Sequence, residues 1–296
     1  MHDDWRERAE AVLRGGEADG DETVLSGEGG TFPVFMTERS VIKIYDPRVQ
    51  SSAPETYDSE LHALTQFADD PEIRTPHLID RGAFGRGAEA SPYIVMSRIP
   101  GAPWREVRPS PTARAVLAAD LGRCLSRIHT RAEMPSDRPW ALEDAAIIAA
   151  MGRSSVPRRL FAGIPDFLDQ YGDARSVALV HGDLMDLHVF VEASRVTGII
   201  DWGDAMVADR TFEFAKLHLD LFEADKTLFD VALSAYGWDD WDDFAPRCLA
   251  QAILRQAHCC AQHGTCDVFH KVPSRFDMRA AQSLPDLADI LFSLDR

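Results

Sequence analysis

The chain has 296 residues, enough for one large domain or two lobes. Its net charge of −17 repels a phosphate backbone, which excludes nucleic acid as a general partner; the same acidity attracts a cationic small molecule and also serves solubility. With 45% hydrophobic residues, no apolar run of the roughly 18–20 residues that a bilayer span needs and no signal-peptide pattern, the expectation is a cytoplasmic protein with no membrane partner.

The stretch 3–14 reads as a short exposed helix with Trp5, Ala9, Val12 and Leu13 on one face. TVLSGEGGTFPVFMT (23–37) reads as strand, Gly-rich turn and strand. VIKIY (41–45) is a β-branched and aromatic run with one Lys inside it. APETYDSELHALTQFA (53–68) is helical, with Leu61, Leu64 and Phe67 on one face, and SPYIVMSRIPG (91–101) is a strand ended by Pro-Gly. After Gly101 the character changes to helix: a periodic segment over 111–129, another closing at Gly172, and a mostly helical tail from 212 onward.

Between those helices lies LVHGDLMDLHVFV (179–191), followed by VTGIIDWGD (196–204). LHVFV and VTGII are both strand-like, and EASR between them reads as a four-residue hairpin loop. Pairing Val191 with Val196 sets Asp201 near Asp186 and His188, with Asp183 on the loop just before. Carboxylates and a His at one open end suit divalent metal and phosphate. Five Cys, an odd number, suit a reducing compartment.

HGDLMDLH followed by IIDWGD resembles the antibiotic (aminoglycoside) phosphotransferases, relatives of the protein kinases, whose catalytic loop reads H-G-D-x-x-x-x-N and whose metal-binding Asp follows a short hairpin. VIKIY, YDSELHAL, PYIVMSRIPG and LGRCLSRIH follow the same family in order, and the hygromycin phosphotransferases look nearest. The resemblance implies an α+β, bilobal, protein-kinase-like fold. A small antiparallel-sheet N-lobe with one internal helix (1–98) would bind nucleotide. A larger, mainly helical C-lobe (99–296) would carry catalysis and substrate, with the cleft between the lobes. The implied reaction moves the γ-phosphoryl of ATP or GTP, with Mg²⁺, to a hydroxyl of a small-molecule antibiotic, conferring resistance. A metabolite kinase of the same fold and a nucleotide- or ligand-binding protein remain open, and a monomer or weak dimer is expected.

The resemblance also assigns roles. Asp183 would orient the acceptor hydroxyl and take its proton. Asp201 would hold Mg²⁺, and Lys43 the α/β-phosphates, with Glu60 as its partner and Glu55 as an alternative. The backbone of Ser97 and Ile99, with Met96 beside it, would meet the purine. His181 would hold the loop. His188 stands where the family has Asn; it binds metal, hydrogen-bonds phosphate, or is a structural His at a site where one ion suffices, with Asp186 as another source of oxygen. Gly29 and Gly30, with Gly27, either let backbone N–H groups approach phosphate or form an ordinary hairpin turn. Asp204, Glu223 and, in GWDDWDDF, Asp239 and Asp240 are candidates for a cationic substrate, the last two equally readable as helix caps. RQAHCCAQHGTC (255–266) has a zinc alternative, but its spacing favours small buried Cys on a core helix.

Overall fold

The computed structural model describes residues 2–15, 23–27, 30–87, 90–130, 142–264 and 266–295. They form two compact units: Met1–Ala102 with Phe190–Glu192 and Thr197–Ala205, and Pro103–Val189 with Ala193–Val196 and Met206–Arg296.

In the first unit α1 (His2–Gly15) precedes the strands β1 (Leu25–Ser26), β2 (Val34–Met36) and β3 (Ser40–Ile44). After α2 (Ala53–Phe67) come β4 (Leu78–Phe84) and β5 (Ser91–Ser97). The five strands make one antiparallel sheet in the order β1-β2-β3-β5-β4. The α1 helix is not simply exposed. Trp5, Ala9 and Leu13, four residues apart, bury themselves with Val24, Phe35, Ile42, Ile44 and Val95. β3 is central, with Lys43 opposite Val34 and Ile94, and neighbouring Ile42 and Ile44 fully buried. The helix α2, with Pro in its first turn, turns Glu60, Leu64 and Phe67 inward.

After the short β6 (Ala102–Pro103) the second unit is mainly helical. It contains α3 (Trp104–Val107), α4 (Pro111–Thr130), α5 (Asp144–Met151) and α6 (Ile164–Tyr171). Next comes β7 (Val177–Val180), then the hairpin strands β8 (Val189–Glu192) and β9 (Arg195–Ile199), whose residues 190–192 and 197–199 belong to the first unit. Then follow β10 (Met206–Asp209), α7 (Arg210–Lys216) running into a π-helical turn at Leu217–Leu221, α8 (Lys226–Tyr236), α9 (Phe244–His263) and α10 (Leu284–Phe292). α9 is the hub: α5, α7 and α10 all pack on it, and its Cys248, Leu249 and Ile253 are fully buried. β7 pairs antiparallel with β10, Met206 opposite Val180.

Two sequence expectations change. The β8–β9 loop has two residues, not four: Ala193 and Ser194 both sit at positive φ, 47° and 61°. That left-handed pair matches the twist of a tight hairpin and lets Glu192 and Arg195 extend the strands. The cysteines are not all small core thiols either. Cys259 and Cys266 form a disulfide, while Cys124, Cys248 and Cys260 are buried thiols. No helix among the described residues is long and apolar enough to cross a membrane.

Candidate active site

In the first unit a buried cation sits between two carboxylates. Lys43 is 8% exposed in a strand with apolar neighbours on both sides, so its charge needs partners. Its Nζ donates to Glu60 Oε2 at 2.6 Å and to Asp201 Oδ1 at 2.5 Å. Glu60, 1% exposed, also accepts from the Tyr45 hydroxyl at 2.5 Å. Burial alone would lower the Lys43 pKa, but Asp201 and Glu60 outweigh it and push it above the ordinary range. The ammonium therefore stays charged.

Asp201 follows β9 with φ 67° and ψ 60°, a left-handed conformation that caps the 3₁₀ turn Trp202–Asp204. Trp202 anchors that turn, fully buried against Phe67, its Nε1 donating to the Ile199 carbonyl at 3.0 Å. Gly203 is required here, because a Cβ would lie 2.4 Å from the Thr56 side chain of α2. The turn thus locks Asp201 to the helix that supplies Glu60. The Asp201 side chain remains 42% exposed.

In the second unit the arrangement is inverted: a carboxylate sits among cations. β7 leads into the loop 181–188. The His181 backbone N–H donates to the Glu213 carboxylate of α7, and its ring Nδ1 accepts from the Asp183 N–H at 3.2 Å. Its ring is thus a brace for the loop. Gly182 holds φ 84°, which only glycine adopts freely, and its carbonyl accepts from Arg255. The other Arg255 Nη donates to Asp183 Oδ1 at 2.5 Å, while Lys216 Nζ stands 3.6 Å from the same oxygen. Burial pushes the Asp183 carboxyl up, but Arg255, Lys216 and His188 outweigh it and bring it down to about 2. The His188 ring lies with Nδ1 2.7 Å from the Asp183 carbonyl. A carbonyl only accepts, so Nδ1 carries the proton and, in the neutral ring, Nε2 carries the lone pair.

Asp186 does not join a carboxylate cluster. Arg105 holds it at 2.7 Å and Lys271 at 3.2 Å. Lys271 also pairs with Asp220 at 2.5 Å, and Asp220 with Lys216 at 2.6 Å. An alternating chain, Arg105–Asp186–Lys271–Asp220–Lys216–Asp183–Arg255, therefore runs through this unit. Sequence reasoning missed Arg255, Lys216, Asp220 and Lys271. Lys216 and Asp220, four apart in the apolar run FEFAKLHLDLF, were the one local signal.

The remaining predicted residues fall as follows. Met96 is buried in β5, and the Ser97 N–H donates to the His77 carbonyl at 2.8 Å. Ile99 packs over Gly198. Gly27 donates to the Val34 carbonyl as part of the β1–β2 hairpin and Gly30 is exposed; Gly29 lies outside the described residues. Asp204 ends the 3₁₀ turn, half-buried. Glu223 follows the π turn at φ 53°, 3.5 Å from Arg114. Asp240 is taken by the buried Arg247 at 2.7 Å, and Arg247 also holds Asp209, the N-cap of α7. Asp239 is 83% exposed, 3.7 Å from Arg210, and borders a cavity of about 340 Å³ lined also by His129, Arg210 and Tyr236. Neither caps a helix. Arginines recruit these carboxylates, and Asp243, at the N-cap of α9, makes no cap bond but pairs with Arg175. In the 255–266 stretch the disulfide takes two of the sulfurs, and no group of three or more metal-ligating side chains gathers among the described residues.

Mg²⁺ takes one or two protein carboxylates and fills its shell with phosphate and water oxygens. Asp201, an exposed carboxylate on a rigid turn, has the donor chemistry for that role. His188 fits the pattern of a ligating imidazole, its other ring nitrogen tied to a carbonyl, though nitrogen is the poorer donor for Mg²⁺.

Residues 27–247 match the model of a phosphotransferase enzyme family, APH. Viomycin phosphotransferase of Streptomyces vinaceus is 28% identical over 189 residues, 57% of this chain and 62% of that protein. The chain thus aligns with less than two thirds of this relative's length. Among solved structures, the macrolide 2'-phosphotransferase MphH of Brachybacterium faecium aligns over 97% of this chain and 99% of its own. It has a TM-score of 0.58 and 20% identity. A GDP and kanamycin complex of an APH(2'') enzyme aligns over 83% of this chain and 89% of its own, with a TM-score of 0.63 and 16% identity. At these identities the structural likenesses carry the fold: an antiparallel-sheet lobe and a helical lobe of the kinase-like kind. With the family model covering most of its length, the chain belongs to the phosphotransferase enzyme family.

Proposed function

We propose that this protein transfers the γ-phosphoryl group of ATP or GTP to a hydroxyl of an antibiotic, and so confers resistance. The observation that carries this reading is the buried Lys43, held at full charge between Glu60 and Asp201. A protein that needed only a stable fold would be better served by apolar side chains there, since a buried ion pair is weak evidence of stability. A nucleotide phosphate gives the ammonium a use.

In this reading Lys43 binds the α/β-phosphates and Glu60 fixes it. Asp201 would hold Mg²⁺, and His188 would donate to metal or phosphate. Bound Mg²⁺ supplies charge neutralisation at the β- and γ-phosphates. Met96, Ser97 and Ile99 line the base. Asp183 accepts the hydrogen bond of the acceptor hydroxyl. Its low pKa makes it an orienting acceptor throughout the neutral range, and a weak base; the proton it receives passes on to solvent. The first unit, continuing to the Pro100–Gly101 breaker, is the nucleotide half, and the second supplies Asp183 and the acceptor site. Asp204 and Glu223 stay as candidates for a cationic acceptor, although Glu223 lies 3.5 Å from Arg114; Asp240 is committed to Arg247.

The acceptors to test are those the relatives are named for or bind: viomycin, kanamycin and a macrolide. The test is mass spectrometry of a panel of these three antibiotics after incubation with the protein, Mg²⁺ and either ATP or GTP. A gain of one phosphoryl group on a panel member supports the reading. No gain on any of them, with nucleotide bound, contradicts it.

A further inference from the structure

Lys216 is the cation of the ion chain that stands beside Asp183 without bonding it. It closes α7, and the π turn that follows places Asp220 where its Oδ2 accepts from Lys216 Nζ at 2.6 Å. Asp220 is held from its other side by Lys271 at 2.5 Å, so the ammonium is anchored on a carboxylate that is itself fixed. Two cations keep that carboxylate ionised: burial pushes the Asp220 pKa up, but Lys216 and Lys271 bring it down to about 2.

Asp183 does not need Lys216 for neutralisation. Arg255 already grips its Oδ1 at 2.5 Å while bonding the neighbouring Gly182 carbonyl. The 3.6 Å from Lys216 to that oxygen is too long for a hydrogen bond. An ammonium has three N–H donors in a tetrahedral array, and one is directed at Asp220. A stationary positive charge therefore stands beside the group that receives the acceptor hydroxyl. The phosphorus under attack lies about 3–3.5 Å from that hydroxyl oxygen in a reactive arrangement. This is the position from which a cation stabilises charge on a transferring phosphoryl group.

We propose that Lys216 is a catalytic residue whose ammonium donates to the phosphoryl group in transfer, and that Asp220 positions it. The inference rests on the phosphotransferase reading above. In the step, the acceptor oxygen forms its bond to the γ-phosphorus as the bond from that phosphorus to the β–γ bridging oxygen breaks. The electron pair leaves with the nucleoside diphosphate, and the hydroxyl proton passes to Asp183 and then to solvent. Lys216 exchanges no proton; it holds the equatorial oxygens while their charge is redistributed.

The test compares wild type, Lys216→Met, and the double variant Lys216→Met/Asp220→Asn. The double variant removes both charges of the pair, so it relieves the carboxylate that the single variant leaves short of a partner. Each is assayed for transfer to the antibiotic panel and for slow release of phosphate to water from ATP and GTP. Affinity for the β,γ-imido analogues of both nucleotides and thermal unfolding are measured in parallel. The expected result is a loss of about 10²–10³-fold in turnover for both variants, the scale of removing one transition-state donor. Analogue affinity should stay within about threefold, and the double variant should unfold near the wild-type temperature. Recovery of turnover in the double variant to within about tenfold of wild type would show that Lys216 only balances Asp220, and would overturn the inference. So would a loss of turnover matched by an equal loss of nucleotide affinity. A wild type that neither transfers nor hydrolyses would contradict the phosphotransferase reading itself, and this inference with it.

Discussion

The charged centres of the two units are inverses of each other. In the first, one cation, Lys43, is clamped by two carboxylates. In the second, one carboxylate, Asp183, is clamped by Arg255 with Lys216 beside it. Each clamp fixes the charge state of its centre against burial, which opposes it in both cases. Under the proposed function, the difference lies in what each centre has to meet. A cation held ready for phosphate needs counter-charges that a nucleotide and its metal can replace. A carboxylate held ready for a neutral hydroxyl needs its negative charge kept and one oxygen steered away. In the proposed reaction Arg255 does the steering: it takes Oδ1, so that the acceptor meets Oδ2.

The sharpest way to separate the two centres is to remove one at a time. Asp183→Asn keeps the shape of the loop and removes the acceptor's charge; transfer should fall by about 10³–10⁴-fold, near the upper end for a positioned acid–base group, with nucleotide affinity within a few fold of wild type. Lys43→Met should do the opposite, weakening nucleotide binding by tenfold or more in a titration calorimeter. It also strands the buried Glu60, so denaturant unfolding should report a loss of about 3–5 kcal/mol, the scale of breaking a buried pair. If Lys43→Met left nucleotide binding intact, the first centre would be structural and the contrast would fail. Arg255→Gln probes the steering alone: turnover should fall by about 10–100-fold, as expected when an orienting hydrogen bond is lost. A larger drop in affinity for nucleotide than in turnover would break that assignment.

The smallest effect concerns the support of the loop. Glu213 is fully buried beneath His181, and burial pushes its pKa up to about 7 from 4.5. Because its folded value is raised, its contribution to stability is complete below pH 4.5 and is lost as pH rises through 7. The loss is on the order of 3 kcal/mol at about 1.4 kcal/mol per unit. Unfolding free energies of wild type and Glu213→Gln, measured from pH 4 to 8, should therefore diverge, wild type losing ground to the variant as pH rises. Parallel curves would mean that folding does not raise the Glu213 pKa.

Much of the first centre was legible in the sequence because its parts carry local signals. A Lys inside VIKIY demands a partner, and the family resemblance of YDSELHAL and IIDWGD supplied Glu60, with Glu55 as an alternative, and Asp201. Asp183 was legible for the same reason. Its clamp was not. Arg255 lies 72 residues beyond Asp183 on α9, in a stretch whose Cys and His drew attention instead, and Lys271 lies on a loop with no pattern of its own. Only tertiary packing brings them to the loop. The tight hairpin at Ala193–Ser194 was hidden as well, because neither residue advertises positive φ as Gly or Asn would. The acidic run 237–244 misled in the opposite direction: its carboxylates looked available and proved to answer Arg247, Arg175 and Arg210.

The central claim is that Asp183 serves transfer of a γ-phosphoryl group to an antibiotic hydroxyl. The most direct measurement follows label from γ-³²P-ATP and γ-³²P-GTP onto viomycin, kanamycin and a macrolide, with wild type and Asp183→Asn side by side. The account predicts labelled antibiotic from wild type with at least one donor, and none above background from the variant at equal nucleotide occupancy. Equal labelling by both proteins, or no labelling by a wild type that binds nucleotide, would contradict it.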